Sequence, residues 1–165
     1  MGEAVMKRIF PRLLTVFLPV LGLDTLSKFW VEQTLEINQP VPVLGELLRL
    51  TLNYNTGVAF GLFANGGVWP LVVTGLIIVS LAIWLVHALR TDEIPPVASW
   101  PIGLILGGAI ANFVDRLPDR RVTDLLDVGL GSTRWPTFNL ADSFIVLGVI
   151  VLMLMMLLEQ RQLKD

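Results

Sequence analysis

Apolar residues fall into four long runs along this chain, and most of the charged residues lie between them or at their ends. The first begins at Leu13 and continues through Pro19 to about Val31. The second, Val68 to Leu89, has only Thr74, Ser80 and His87 as polar interruptions. The third, Val97 to Val114, is rich in Gly and Ala, and the fourth runs from Leu140 to Leu158. About 20 apolar residues cross the hydrocarbon of a bilayer as a helix. The pattern therefore predicts spans at about 11–31, 68–89, 97–114 and 140–158, joined on one side by segments 32–67 and 115–139. Gly103 and Gly107 form a G-x-x-x-G on the third span, which lets helices pack closely. No small-x-small cleavage site follows the first run, so it reads as a retained span.

A different pattern appears between the first two runs. Pro40, Pro42 and Gly45 break any helix. Leu48-Arg49-Leu50-Thr51-Leu52-Asn53-Tyr54 then alternates strictly, with Leu48, Leu50, Leu52 and Tyr54 on one face and Arg49, Thr51 and Asn53 on the other. That is a half-buried strand. The small residues of Asn55-Thr56-Gly57-Val58-Ala59-Phe60-Gly61 suit a turn or a close backbone approach. The predicted fold is mainly α and integral to the membrane: four transmembrane helices with a small extramembrane β-sheet, residues 1–165 forming one domain.

Composition removes much of the available chemistry. Of 165 residues, 54% are hydrophobic and 16% charged, against roughly 25% charged in a soluble domain. A net charge of -2 gives no reason for a nucleic-acid partner. Without cysteine there is no disulfide and no thiol nucleophile. His87 is the one histidine, so a His-rich metal site cannot form and neither a metal nor a cofactor is called for. His87 reads as an interfacial residue, and Trp69 and Trp84 as interface or lipid-facing ones. Carboxylates, Lys28 and a few Arg, Asn and Ser remain.

Four spans place both termini on one side. Lys7, Arg8, Arg12, Arg90, Arg161 and Lys164 lie there, against Arg49, Arg116, Arg120, Arg121 and Arg134 opposite. The cluster flanking the first span orients the termini inward. Asp24, Lys28, Asn55, Asn112, Asp115, Arg116, Asp124 and Asp142 then all fall at the outer face. A convergent polar cluster from separate stretches is the mark of a site. Asp24 and Lys28, four apart, share a helix face as an ion pair with the acid first. Asp142 enters the apolar run of the last span, where a charge is expensive and is read as functional. Asn139 three residues earlier suits an N-cap, and the helix dipole helps keep Asp142 ionised. Two carboxylates without histidine or metal suggest an aspartic dyad that shares one proton, with Asp142 as the base. Its partner is open at this level. Asp115 has Arg116 beside it, Asp119 adjoins Pro118 in a turn, and Asp124 and Asp127 bracket Leu125-Leu126.

Five motifs in this order resemble lipoprotein signal peptidase, or signal peptidase II, an aspartic peptidase of bacterial inner membranes. They are Asp24-Thr-Leu-Ser-Lys28, Asn55-Thr-Gly-Val-Ala-Phe-Gly61, Gly107-Gly-Ala-Ile-Ala-Asn-Phe-Val-Asp-Arg116, Val122-Thr-Asp124 and Trp135-Pro-Thr-Phe-Asn-Leu-Ala-Asp142. The resemblance implies Asp124 and Asp142 as the catalytic pair. It implies Asn55, Asn112, Arg116 and Asn139 lining the site, supported by Asp115, and Asp24 and Lys28 shaping it. It further implies cleavage of prolipoproteins before a diacylglyceryl-modified cysteine, with membrane lipid as surroundings and the cyclic peptide globomycin as inhibitor. Two positions depart from the family pattern: Ala111 stands where glycine is usual, and Leu125 where phenylalanine is usual. Two rival readings are a small proton- or ion-coupled transporter, since intramembrane acids also mark ion paths, and an assembly subunit with its ion pairs as interhelical glue. The transporter needs acids spaced through the bilayer; the subunit leaves Asp124 and Asp142 without a role.

Overall fold

The computed structural model describes residues 2–57, 67–91 and 95–162. Residues 58–61 of the turn motif, and Lys164, lie outside them. Helix α1 (Gly2–Thr34), α2 (Trp69–Arg90), α3 (Ser99–Asp119) and α4 (Leu140–Gln162) are the four long elements. All four are long and apolar enough to cross a membrane, and the chain is a multi-pass membrane protein. Helix α3 is the central one: 61% of its apolar stretch is buried, against 17% or less in the others.

Small residues explain that centrality. A methyl group at Gly103 would sit 2.9 Å from the Leu13 carbonyl, and one at Gly107 would sit 2.9 Å from Val20. The G-x-x-x-G therefore seats α1. On another face of α3, a methyl at Gly108 would come within 2.5 Å of the Ala141 carbonyl, so α4 rests directly on the α3 backbone. Leu13, Ala88, Ala98 and Ile102 form an apolar core toward the terminal end of the bundle.

Helices α1, α3 and α4 outrun their expected bounds, α4 by running on to Gln162. Helix α1 continues to Thr34 with Pro11 and Pro19 inside it, a loss of hydrogen bonds that membrane helices tolerate. Helix α3 continues past 114, through Asp115, Arg116 and Pro118. Its polar last turn faces other polar groups, so the fall in hydropathy does not end it. It stops at Arg120, which takes a left-handed conformation (φ 65°) and donates its N–H to the Arg116 carbonyl. The connection to α4 therefore starts at Arg120, not at residue 115.

An antiparallel sheet covers one end of the bundle, in the order β1 (Val41–Leu44), β2 (Leu48–Asn55), β3 (Val122–Leu130), β4 (Thr133–Arg134). Strand β2 coincides with the alternating stretch, but its alternation is interrupted. Leu50 faces Leu126 while Asn53 faces Asp124, so Thr51 and Leu52 together oppose Leu125. This bulge buries both Thr51 and Leu52. Periodicity predicts none of β1, β3 and β4, and β3 places Asp124 on a strand rather than in a loop. Val122 through Leu125 are all buried, so no polar face alternates with an apolar one. Val31 of α1, Leu52 and Leu125 form a second small core beneath the sheet. Leu125 thus fills apolar space, and Ala111 is accommodated within the buried part of α3.

Candidate active site

Between the two cores lies a polar layer built from α1, α3, the sheet and the start of α4. It begins with α1, whose Asp24 and Lys28 project from one face. Lys28 is 4% exposed and Asp24 1%. The Lys28 Nζ lies 2.7 Å from Asp24 and 3.1 Å from Asp115, and donates to Asn112 Oδ1 at 2.9 Å. An ammonium has three protons, and here each has an acceptor. Asp24 in turn accepts the Ala141 N–H at 2.8 Å. That amide is one of the unpaired donors at the start of α4, so α1 caps α4 across the bundle.

Asn139 caps α4 from within. Its Oδ1 accepts the Asp142 N–H at 2.9 Å, and its own N–H points back to Asp142 Oδ2 at 3.4 Å. This is a capping box with aspartate in the third position. Asp142 Oδ1 also accepts from Asn112 Nδ2 at 2.8 Å. The Asn139 amide faces the other way, toward Asp124 Oδ1 at 2.9 Å and Asn112 Oδ1 at 3.1 Å. Asn55, at the end of β2, lies close enough to Asp124 for its side-chain amide to favour the charged carboxylate. One asparagine therefore bridges both carboxyl groups, although the acids come from β3 and α4.

The four upstream acids separate by their partners. Asp115 is paired with Lys28 and accepts the Thr123 N–H at 2.9 Å, so its expected neighbour Arg116 is not its ion-pair partner. Arg116 is buried and donates to the carbonyls of Gly57 and Asn112. Asp119 pairs with Arg121 at 2.6 Å. Asp127 is held by Arg49 at 3.0 Å, by Arg134, and by the Thr51 hydroxyl at 3.2 Å. Against the upward push of burial, the two arginines keep Asp127 below its ordinary carboxylate range. Asp124 differs from all three. Among the described residues it forms no ion pair, and it is 2% exposed. Burial drives its pKa up to about 7, with the charge of Asp142 adding to the rise and the amides of Asn139 and Asn55 opposing it.

The sequence-predicted residues Asp24, Lys28, Asn112, Asp115, Asp124, Asn139 and Asp142 are thus joined by direct contacts, Asn55 approaches Asp124, and Arg116 adjoins Asn112. Sequence reading misses two participants, Thr123 and Glu32, whose side chains hydrogen-bond at 2.6 Å. The available signal was spacing: Glu32 follows Lys28 by four and continues the Asp24–Lys28 face. His87, Trp69 and Trp84 are exposed on α2.

Fold and site together define a multi-pass membrane protein with a buried carboxylate–amide layer at one end of its bundle. The chain belongs to the signal peptidase II family, whose model matches residues 16–158. It is accordingly a peptidase, and the family points to lipoprotein substrates. Two solved structures described as a bacterial membrane enzyme, determined by the in meso method, are similar to it. One has a TM-score of 0.78 at 26% identity, covering 90% of this chain and 88% of its own. The other has a TM-score of 0.74 at 26% identity, covering 88% and 92%.

Proposed function

We propose that the protein removes the signal peptide from diacylglyceryl-modified prolipoproteins by cutting before the lipidated cysteine, with Asp124 and Asp142 activating water. The observation that carries this reading is the contrast between Asp124 and the other upstream acids. Among the described residues it alone of the four shares an asparagine with Asp142 and lacks an ion-pair partner. A carboxyl group whose pKa lies near 7 holds a proton that it can give away at neutral pH.

In this reading Asp142 is the ionised member, held by Asn112 and the first turn of α4. It takes a proton from water as the water oxygen bonds to the scissile carbonyl carbon. Asp124 gives its proton to the carbonyl oxygen, and a neutral tetrahedral diol forms. Asp142 then returns its proton to the departing nitrogen as the C–N bond breaks, and Asp124 regains one from the diol. No covalent enzyme intermediate is needed, nor any cofactor. Asn55, Asn112, Asn139 and Arg116 orient the groups, while Asp115, Lys28 and Asp24 brace them. The substrate's acyl chains stay in lipid, which suits a site at the end of the bundle. The basic residues near the first span orient the termini to the cytoplasm of a bacterial inner membrane and the sheet to the periplasm. Globomycin, a cyclic peptide, would compete for the same site, and residues 1–165 act as one domain.

The test is cleavage by purified protein in detergent. Lipidated prolipoprotein is cut once, before the modified cysteine, and the unlipidated precursor is not. Asp124→Asn and Asp142→Asn each lower kcat on the order of 10²- to 10⁴-fold, the range of general acid–base catalysis. Cleavage that survives both substitutions rules the dyad out.

A further inference from the structure

Thr123 fastens β3 to three helices at once. Its N–H goes to Asp115 of α3 at 2.9 Å, its hydroxyl to Glu32 of α1 at 2.6 Å, and its carbonyl accepts from Asn139, the residue capping α4, at 3.4 Å. We propose that Thr123, held by Glu32, is a positioning residue that fixes the direction of the Asp124 carboxyl group. The proposal rests on the reading of Asp124 and Asp142 as the catalytic pair.

The geometry supplies the coupling. Successive side chains of a strand point to opposite faces, so anchoring Thr123 on one face sets the Cα–Cβ direction of Asp124 on the other. The Asn139 amide that reaches the Thr123 carbonyl is also the amide on Asp124 Oδ1. A shift of Thr123 therefore reaches Asp124 both through the chain and through that amide. Asp115, the acceptor of the Thr123 N–H, is itself fixed by Lys28.

Packing alone does not require a hydroxyl here. Thr123 is 2% exposed, and Val122 beside it is equally buried and apolar. A valine would fill the space without a polar group to satisfy. The hydroxyl instead draws in Glu32, an exposed side chain at the end of α1. Ordering an exposed glutamate costs rotamer entropy, offset here by a short, charge-assisted hydrogen bond. The bond ties the strand that carries one acid to the helix that caps the other acid's helix.

The experiment is steady-state cleavage of lipidated prolipoprotein by the full chain in detergent. Thr123→Val keeps the shape and lowers kcat by roughly 10- to 100-fold, the scale of a small misplacement, with KM within about twofold. Thr123→Ser, which restores the hydroxyl, recovers most of that rate. Glu32→Ala reproduces the loss, and the double variant is no worse than either single one. Wild-type kcat in both Thr123→Val and Glu32→Ala, with Asp124→Asn inactive, overturns the positioning role alone. So does a loss in Thr123→Val that follows a lowered Tm and is absent from Glu32→Ala. If Asp124→Asn retains wild-type activity, the dyad itself fails, and the positioning role fails with it.

Discussion

Asp124 is an acid held in conditions that favour its neutral form. Its folded-state pKa of about 7 stands above the ordinary carboxylate value of 3.8, chiefly through burial and then through Asp142. The folded protein therefore binds more protons than the unfolded chain between those values. A raised carboxyl pKa contributes stability that is complete below about 3.8 and is lost as pH rises through about 7. Asp124→Asn removes that titration. Its Tm in detergent exceeds the wild-type value at pH 8, and the gap narrows toward pH 5. A wild-type advantage at pH 8 would show that Asp124 carries its charge comfortably. Much of this residue-level picture was legible in sequence. The i, i+4 spacing of Asp24 and Lys28 put them on one face, and Asn139 three before Asp142 gave the cap. The choice among Asp115, Asp119, Asp124 and Asp127 was not, because it depends on which acid meets Lys28, Arg121, Arg49 or Arg134 in space. Glu32 and Thr123 escaped for the same reason: they are 91 positions apart.

Helices and strands were unequally readable. Long apolar runs gave four helices in the right places, because crossing hydrocarbon imposes a length that hydropathy reports. Their polar ends did not follow hydropathy: the last turn of α3 stays helical because Asp115 and Arg116 have partners inside the layer. Strand β2 showed its alternation, whereas β3, buried on both sides over Val122–Leu125, had none to show. The contact between α3 and α4 carries the sharpest expectation at this level. Gly108→Ala places a methyl 2.5 Å from the Ala141 carbonyl, which is backbone and must move. Asp142 is the next residue, so the substitution lowers both the Tm and the cleavage rate. Gly22→Ala, with nothing within 4 Å of the added methyl, leaves both near wild type. Equal effects of the two substitutions on Tm and rate would mean that close approach at Gly108 is not what seats α4.

Across the whole molecule, charged and amide side chains gather where three helices meet the sheet, and the apolar core lies toward the other end. Spans α2 and α4 carry no acid through their middles. That gives a transporter no relay across the bilayer, while it suits hydrolysis at one membrane face. The sheet sits at that face because two separate connections pair there, β2 with β3, and this pairing brings Asn55 to Asp124. Lone runs of hydropathy could not have revealed it. The dependence of kcat on pH with lipidated prolipoprotein tests the two-acid mechanism most directly. With Asp124 required in its protonated form, the rate falls as pH rises through about 7. A rate that stayed level well above that point, or that rose there, would contradict a proton-donating Asp124.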